Sequence, residues 1–150
     1  MQVNQRFFQV SLKAMLKNKQ GQTLILSCES DGSMKGYWDF PGGRIDKGEE
    51  DVPLPDVIRR EVAEELGPEV KFKIDSHPVA VGRHMVPKEF HNLGYDVHVL
   101  LVLFTGDYLG GEIKVSAEHG RADWVDLKKI DIEKYFTRGV LDAVRNYLVR

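Results

Sequence analysis

The segment Arg60-Glu61-Val62-Ala63-Glu64-Glu65-Leu66-Gly67 constrains this chain more than any other. Ile58, Val62 and Leu66 recur at every fourth position, the spacing of one helical face. At ~100° per residue, Glu61, Glu64 and Glu65 fall within about a third of the circumference, beside that apolar stripe. Pro55 suits a first helical turn and Gly67-Pro68 is a stop signal, so the helix is expected from Pro55 to Leu66. Three carboxylates at the edge of a buried face repel one another, and burial raises their pKa values unless a cation compensates. A hard divalent ion with oxygen ligands is the natural compensator. Arg60, four residues before Glu64, can neutralise one charge. The competing reading is a solvated acidic helix face, a common feature of soluble proteins.

The residues upstream favour the cation. Pro41-Gly42-Gly43 requires a tight turn, and Gly43 and Gly48 bracket Arg44-Ile45-Asp46-Lys47, with Glu49 following. Glycines let a backbone approach a phosphate or turn a carbonyl toward a metal. A loop bearing Arg44 and Lys47 that feeds an acidic helix is the layout expected for a metal-bound phosphate substrate. No Gly-x-x-x-x-Gly-Lys-Ser/Thr run is present, which excludes a P-loop.

The rest of the chain reads as a frame for this segment. Strands are expected over Phe7 to Leu16 and Thr23 to Cys28, joined as a hairpin, and over Tyr37 to Phe40. Val70 to Val86 is strand-like with a break at Pro78. Tyr95 to Phe104 is continuously apolar, as a central strand would be. Arg121 to Leu127 reads as a short strand. Ile132 to Val149 reads as a C-terminal helix with Tyr135, Val140, Leu141, Val144 and Leu148 on one face. The pattern predicts an α/β sandwich on a mixed sheet, and 150 residues fit one domain, 1–150. Against 23 acidic residues the chain has 21 lysines and arginines, a net charge of −2, so bulk nucleic-acid binding is not expected. The lone Cys28 excludes an internal disulfide and reads as a half-buried strand residue. No signal peptide or membrane-length apolar run is evident, and a cytoplasmic protein is the expectation. His77, His84, His91 and His98 fall at intervals of seven, which strands do not bring together, so the spacing is read as coincidence.

Gly43 to Gly67 resembles the Nudix box: Gly, five residues, Glu, seven residues, then Arg-Glu-aliphatic-x-Glu-Glu-x-Gly-aliphatic. Gly43 and Glu49 match in spacing, and Arg60-Glu61-Val62-x-Glu64-Glu65-x-Gly67 matches in sequence. The Trp38-Asp39-Phe40-Pro41-Gly42-Gly43 lead-in is also similar to many members. Ten residues, rather than seven, separate Glu49 from Arg60, an insertion placed within Glu50 to Pro55, and Pro68 stands where an aliphatic residue is usual. The resemblance implies an α/β/α sandwich with a central acidic helix and a C-terminal helix. It implies metal-dependent hydrolysis of a nucleoside diphosphate linked to another group, ADP-ribose or a nucleotide sugar first. A nucleoside triphosphate pyrophosphatase and a non-catalytic binding module are the alternatives. It assigns metal binding to Glu61, Glu64, Glu65 and the Gly42 carbonyl, with Mg²⁺ the expected ion and Mn²⁺ an alternative. Glu65, Glu64 and Glu118 are the expected catalytic carboxylates, with Glu65 or Glu118 as the base. Gly43, Glu49, Arg60 and Gly67 are expected to shape the loop–helix junction. Arg44, Trp38 and Arg83 are the substrate-binding candidates, for phosphate, base and ribose or terminal phosphate respectively. Lys47 is a second candidate for the phosphate. Family members are often dimers, and a homodimer is left open.

Overall fold

The computed structural model describes residues 4–30, 32–117 and 119–150. Strand β1 (Gln9–Lys17) is buried continuously from Ser11 to Leu16, as a strand covered on both faces. Leu12, Ala14 and Leu16 pack on one face of the sheet, while Met15 packs on the other. After a polar turn the chain returns as β2 (Thr23–Ser27). The expected hairpin pairs only at its closed end, Lys17 opposite Thr23. Beyond that point the strands splay, and the segment holding β3 (Trp38–Asp39) and β4 (Gly42–Arg44) enters the gap. There β3 pairs with β2 and β4 with β1, both antiparallel. The Ala14 N–H donates to the Pro41 carbonyl between them, at 2.8 Å. The backbone of Gly42 and Gly43 is thereby held inside the sheet.

The sheet continues with β6 (Val97–Gly110), parallel to β1, and β5 (Lys71–Val86), antiparallel to β6 at the edge. Strand β7 (Ala122–Val125) pairs with β2. Tyr95 to Phe104 was expected to be a central strand, and β6 does lie between two partners, though it begins at Val97 and runs on to Gly110. Pro78, which has no N–H to give a ladder, sits in β5 between two register shifts, so the expected break is an irregularity inside one long strand.

Helix α1 (Leu54–Leu66) begins after Pro53 and ends at Gly67, whose φ of 91° leaves the helical region. Val57, Ile58, Val62 and Leu66 are fully buried against Leu12, Ala14, Leu16, Leu24, Leu26 and Phe104. At about 1.5–3 kcal/mol each, those four aliphatic side chains account for how α1 is held. The opposite face carries a second core, in which Met15, Phe40, Leu101 and Leu103 meet Phe136, Val140, Ala143 and Val144. Two cores on either side of a mixed sheet make the expected α/β/α sandwich.

The C-terminal helix is not continuous. It divides into α2 (Ile132–Tyr135) and α3 (Arg138–Leu148). Phe136 between them is buried and stacks on Phe40, ring centroids 5.2 Å apart, and Thr137 is extended. Burying an aromatic ring at the junction overrides the helical periodicity that predicted one element. No helix of the described residues is long and apolar enough to cross a membrane.

Candidate active site

The box carboxylates meet the glycine turn through the backbone. Glu65 is buried, and its Oε2 accepts the Gly42 N–H at 3.0 Å. The Glu61 carboxylate fills the place where a side chain on Gly43 would stand. Burial raises the Glu61 pKa above the ordinary carboxylate range, with Glu65 and Glu64 adding to the effect and Arg60 opposing it. Helix α1 and strand β4 therefore lie against each other with two acidic groups between them.

Arg60 gathers the charges around the inserted loop. Its Nε donates to Glu49 Oε2 at 2.8 Å and its Nη2 to Glu49 Oε1 at 2.7 Å, a bidentate pair. Nη2 also lies 2.9 Å from Glu61 Oε1 and 3.4 Å from Asp46 Oδ2, and Nη1 donates to both oxygens of Glu64 at 3.3 Å. Hydrogen bonding to Arg60 pulls the Glu49 pKa below its ordinary value. The insertion between Glu49 and Arg60 thus loops out without separating the two residues.

The oxygen-rich set of Glu61, Glu64, Glu65 and the Gly42 carbonyl is chemically suited to a hard divalent cation. Among the described residues, however, no group of three or more His, Cys, Asp or Glu side chains is drawn together as a ready metal cage. Glu64 is turned to Arg60 and Glu65 to Gly42. The donors fit a divalent ion once Glu64 leaves its exposed contact with Arg60. Glu118 lies outside the described residues.

Its neighbour His119, which sequence reasoning did not single out, sits beside this set. His119 Nδ1 donates to the Ser27 carbonyl at 2.9 Å, and Nε2 lies 3.8 Å from Glu65 Oε1. The Glu65 carboxylate raises the His119 pKa, against the opposing effect of burial.

On the α3 side of the sheet, a cavity of about 290 Å³ opens next to β4. Its floor is Val86, Val99 and Leu101, and its polar walls are Ser11, Lys13, Asp39, Arg44 and His84. Gly43 also lines it, so the same residue touches Glu61 on one side and the cavity on the other. Lys13 Nζ donates to Asp39 Oδ2 at 2.8 Å, and the pair is buried. Burial lowers the Lys13 pKa, but Asp39 and Glu65 outweigh it and hold the ammonium above its ordinary value. Lys13 and Asp39 were also missed from sequence. The available signal was Lys13 within the largely apolar run Val10 to Leu16, two residues from Met15 and so on its face.

Of the substrate-binding candidates, Arg44 lines this cavity and Trp38 and Arg83 do not. The Trp38 ring packs on Tyr135 at 6.4 Å and lies under the Arg121 guanidinium at 5.3 Å. Arg83 instead lines one recess with Asp142, Arg145 and Asn146 of α3 and another with His84 and His98. Lys47 lies with Arg44 and Phe8 in a shallower depression. Two of the four evenly spaced histidines, His84 and His98, line one surface recess, although the register, with Met85 opposite His98 and His84 opposite Val99, assigns them to opposite faces of the sheet. Burial pushes the Cys28 thiol up to about 12, with Asp39 adding and Lys13 opposing. It is therefore protonated at neutral pH and a poor nucleophile.

The family model of the NUDIX domain matches residues 8–144. A search among curated proteins finds no match. Among solved structures, a MutT protein from Methanosarcina mazei Go1 is similar at 26% identity and a TM-score of 0.69, covering 95% of this chain and 94% of that one. A MutT NUDIX hydrolase from Burkholderia pseudomallei is 19% identical, with a TM-score of 0.67 over 94% of this chain and 98% of its own. An ADP-ribose pyrophosphatase from Streptococcus suis 89-1591 is 19% identical, with a TM-score of 0.60 over 95% and 91%.

Proposed function

The chain belongs to the NUDIX domain family and is a Nudix hydrolase, and from that premise we propose that it cleaves the diphosphate of a nucleoside diphosphate linked to a second group. ADP-ribose and nucleotide sugars are the foremost candidates, giving a nucleoside monophosphate and the phosphorylated partner. Enzymes of this family act on small-molecule nucleotides and generally use divalent metal ions. We take the chain as one domain and Mg²⁺ as its ion, with Mn²⁺ an alternative. Glu61, Glu64, Glu65 and the Gly42 carbonyl would hold it. An ion held there would supply charge neutralisation of the diphosphate and a more acidic attacking water.

The remaining steps belong to this chain's own groups. Glu65 Oε1 receives the proton of the water, and the Gly42 N–H on Oε2 keeps the carboxylate oriented. His119 Nε2 stands 3.8 Å from Oε1, at ion-pair rather than hydrogen-bond distance. Glu118, adjacent in sequence, is the alternative base. Arg44 reaches the non-bridging phosphate oxygens from β4. Substrate contact is assigned to Arg44 and the cavity walls, in place of Trp38 and Arg83. Glu49, Arg60, Gly43 and Gly67 shape the junction between loop and helix.

What carries the reading is the contact of Glu61 and Glu65 with the glycine turn, which sets an acidic site beside a cavity of about 290 Å³. The test is a turnover screen with Mg²⁺ over ADP-ribose, nucleotide sugars, dinucleoside polyphosphates and nucleoside triphosphates, with products separated by chromatography. Cleavage at a diphosphate is expected, falling about 10²–10⁴-fold in a folded Glu65→Gln variant. Folded wild-type protein that turns over none of the panel would overturn the proposal.

A further inference from the structure

Most guanidiniums of this chain are engaged. Arg59, Arg60, Arg121 and Arg145 reach carboxylates, Arg138 reaches the Met85 carbonyl, and Arg150 lies over the Tyr147 ring. Arg6, Arg44 and Arg83 have no side-chain hydrogen bond, ion pair or ring contact among the described residues. An unpaired lysine on a surface is ordinary, because an ammonium is strongly hydrated. A guanidinium is weakly hydrated, and its planar fork matches the oxygens of a phosphate. These arginines also stand together. Arg6 and Arg83 border one recess of about 370 Å³, Arg44 borders another of about 530 Å³, and Phe8 lines both. Arg44 and His84 in turn line the cavity beside β4, so the three hollows are linked by shared residues.

The other groups of the two recesses do not cancel this charge. Lys47 adds a further cation, and Gln9 is neutral. Asp46 is the one carboxylate among the described lining residues, and it already lies 3.4 Å from Arg60 Nη2. Asp142, which shares a third recess with Arg83, has its ion-pair contact with Arg145 instead. His84 Nδ1 accepts the Gly139 N–H at 2.9 Å, and burial, reinforced by the Arg138 charge, pushes its pKa down to about 4, so the ring adds no charge. Between the cations the surface is apolar, from Phe8, Val10, Ile45 and Met85. Phe8 is 36% exposed, and its ring meets that of His98 edge to face at 5.6 Å. The recess with Arg44 also abuts the carboxylate site, because the Arg60 Nη2 beside Asp46 lies 2.9 Å from Glu61 Oε1.

We propose that these recesses hold the far end of the substrate, and that this end is a second nucleotide, with phosphate oxygens on Arg44, Lys47, Arg6 and Arg83 and the base ring against Phe8. The substrate class is then the dinucleoside polyphosphates, ahead of ADP-ribose and nucleotide sugars. Arg44 alone can serve a diphosphate, whereas Arg6, Arg83 and Lys47 need further phosphate to pair with. A terminal sugar brings neither that phosphate nor an aromatic ring for Phe8. Arg83, which does not reach the cavity beside β4, thereby contacts substrate at the other end. The proposal rests on the hydrolase reading. The water oxygen joins one phosphorus of the chain, the anhydride P–O bond breaks, and the bridging oxygen leaves with the other product, giving two nucleotides and releasing the water protons to them and to solvent.

The test compares the intact protein with an Arg6→Gln, Arg83→Gln double variant. Both residues are exposed and lie outside the carboxylate site, so the variant should fold, which a melting curve checks. Calorimetry measures binding of diadenosine tetraphosphate and of ADP-ribose in EDTA, and turnover of the same two compounds is measured with Mg²⁺. The tetraphosphate is expected to bind about tenfold more tightly than ADP-ribose, with an affinity that falls as salt is added, and to have the lower KM. In the double variant its Kd and KM should rise about tenfold, the loss of roughly one charge-assisted hydrogen bond, with kcat kept and ADP-ribose unaffected. Equal or tighter binding of ADP-ribose, no binding of either compound, or a variant that binds the tetraphosphate as the intact protein does would overturn the proposal. So would tighter binding of an oligonucleotide with a 5′-triphosphate. Tetraphosphate that binds through Arg6 and Arg83 but is not turned over with Mg²⁺ would overturn the hydrolase assignment and leave this site standing.

Discussion

Gly42 and Gly43 are neighbours with different tolerance for a side chain. Gly42 has φ of 144°, and a methyl group on it would overlap the backbone carbonyl of Leu12. Backbone cannot step aside, so Gly42→Ala is expected to destabilise the protein by about 3 kcal/mol or more, read by denaturant unfolding. The atoms nearest a methyl group on Gly43 would be those of the Glu61 carboxylate, which ends a flexible side chain. Gly43→Ala should therefore fold, with a small loss of stability. Displacing Glu61 by an ångström should lower kcat/KM by about 10²-fold. A Gly43→Ala enzyme of normal activity would show that Glu61 need not stand where it does. The glycine pair was legible in the sequence, but this division of labour was not, because it depends on which atoms of β1 and α1 lie beyond each missing side chain.

At the scale of elements, α1 was the most legible part of the chain. Its apolar stripe and stop signal placed it to within one residue at its start. Two other elements were misread for tertiary reasons. Short-range pattern joined β1 and β2 into a closed hairpin, yet the segment 38–44 parts them. Periodicity ran α2 into α3, yet Phe136 leaves the helical path to reach Phe40. The inserted loop between Glu49 and α1 is tied down by Arg60. Arg60→Gln should raise amide hydrogen exchange over residues 46–52 by roughly tenfold and leave the exchange of α3 unchanged. The Glu49 carboxyl should then return toward its ordinary pKa, a rise that NMR titration would detect. Unchanged exchange would mean that the prolines, not Arg60, order the loop.

For the whole molecule, the sandwich was legible because each core announces itself by alternation or helical spacing. The cavity was not. Its walls come from β1, β3, β4, β5 and β6, and their convergence depends on strand order, which local pattern does not encode. His84 also ties global stability to pH. Its pKa is low in the folded state and ordinary in the unfolded chain, so the unfolded form takes up a proton that the folded form refuses. The groups acting on it are Arg138, Lys13 and Arg44, which oppose protonation, and Asp39, which favours it. This group contributes nothing above pH 6.5, and it costs stability progressively as pH falls from 6.5 to about 4. The melting temperature should drop over that window. The drop should be shallower in His84→Asn, whose amide oxygen can still accept the Gly139 N–H without titrating.

The hydrogen bond from Gly139 to His84 also has a consequence for local opening. Gly43 and Glu61 lie close in sequence, on adjoining elements. Gly139 reaches His84 across 55 residues, through the docking of one terminal helix. An opening that lifts α3 from β5 while β4 and α1 stay together would free the imidazole to carry its proton on either nitrogen. Such a partly opened form would keep the carboxylates of α1 against the glycine turn while the cavity lost the fixed His84 on its wall.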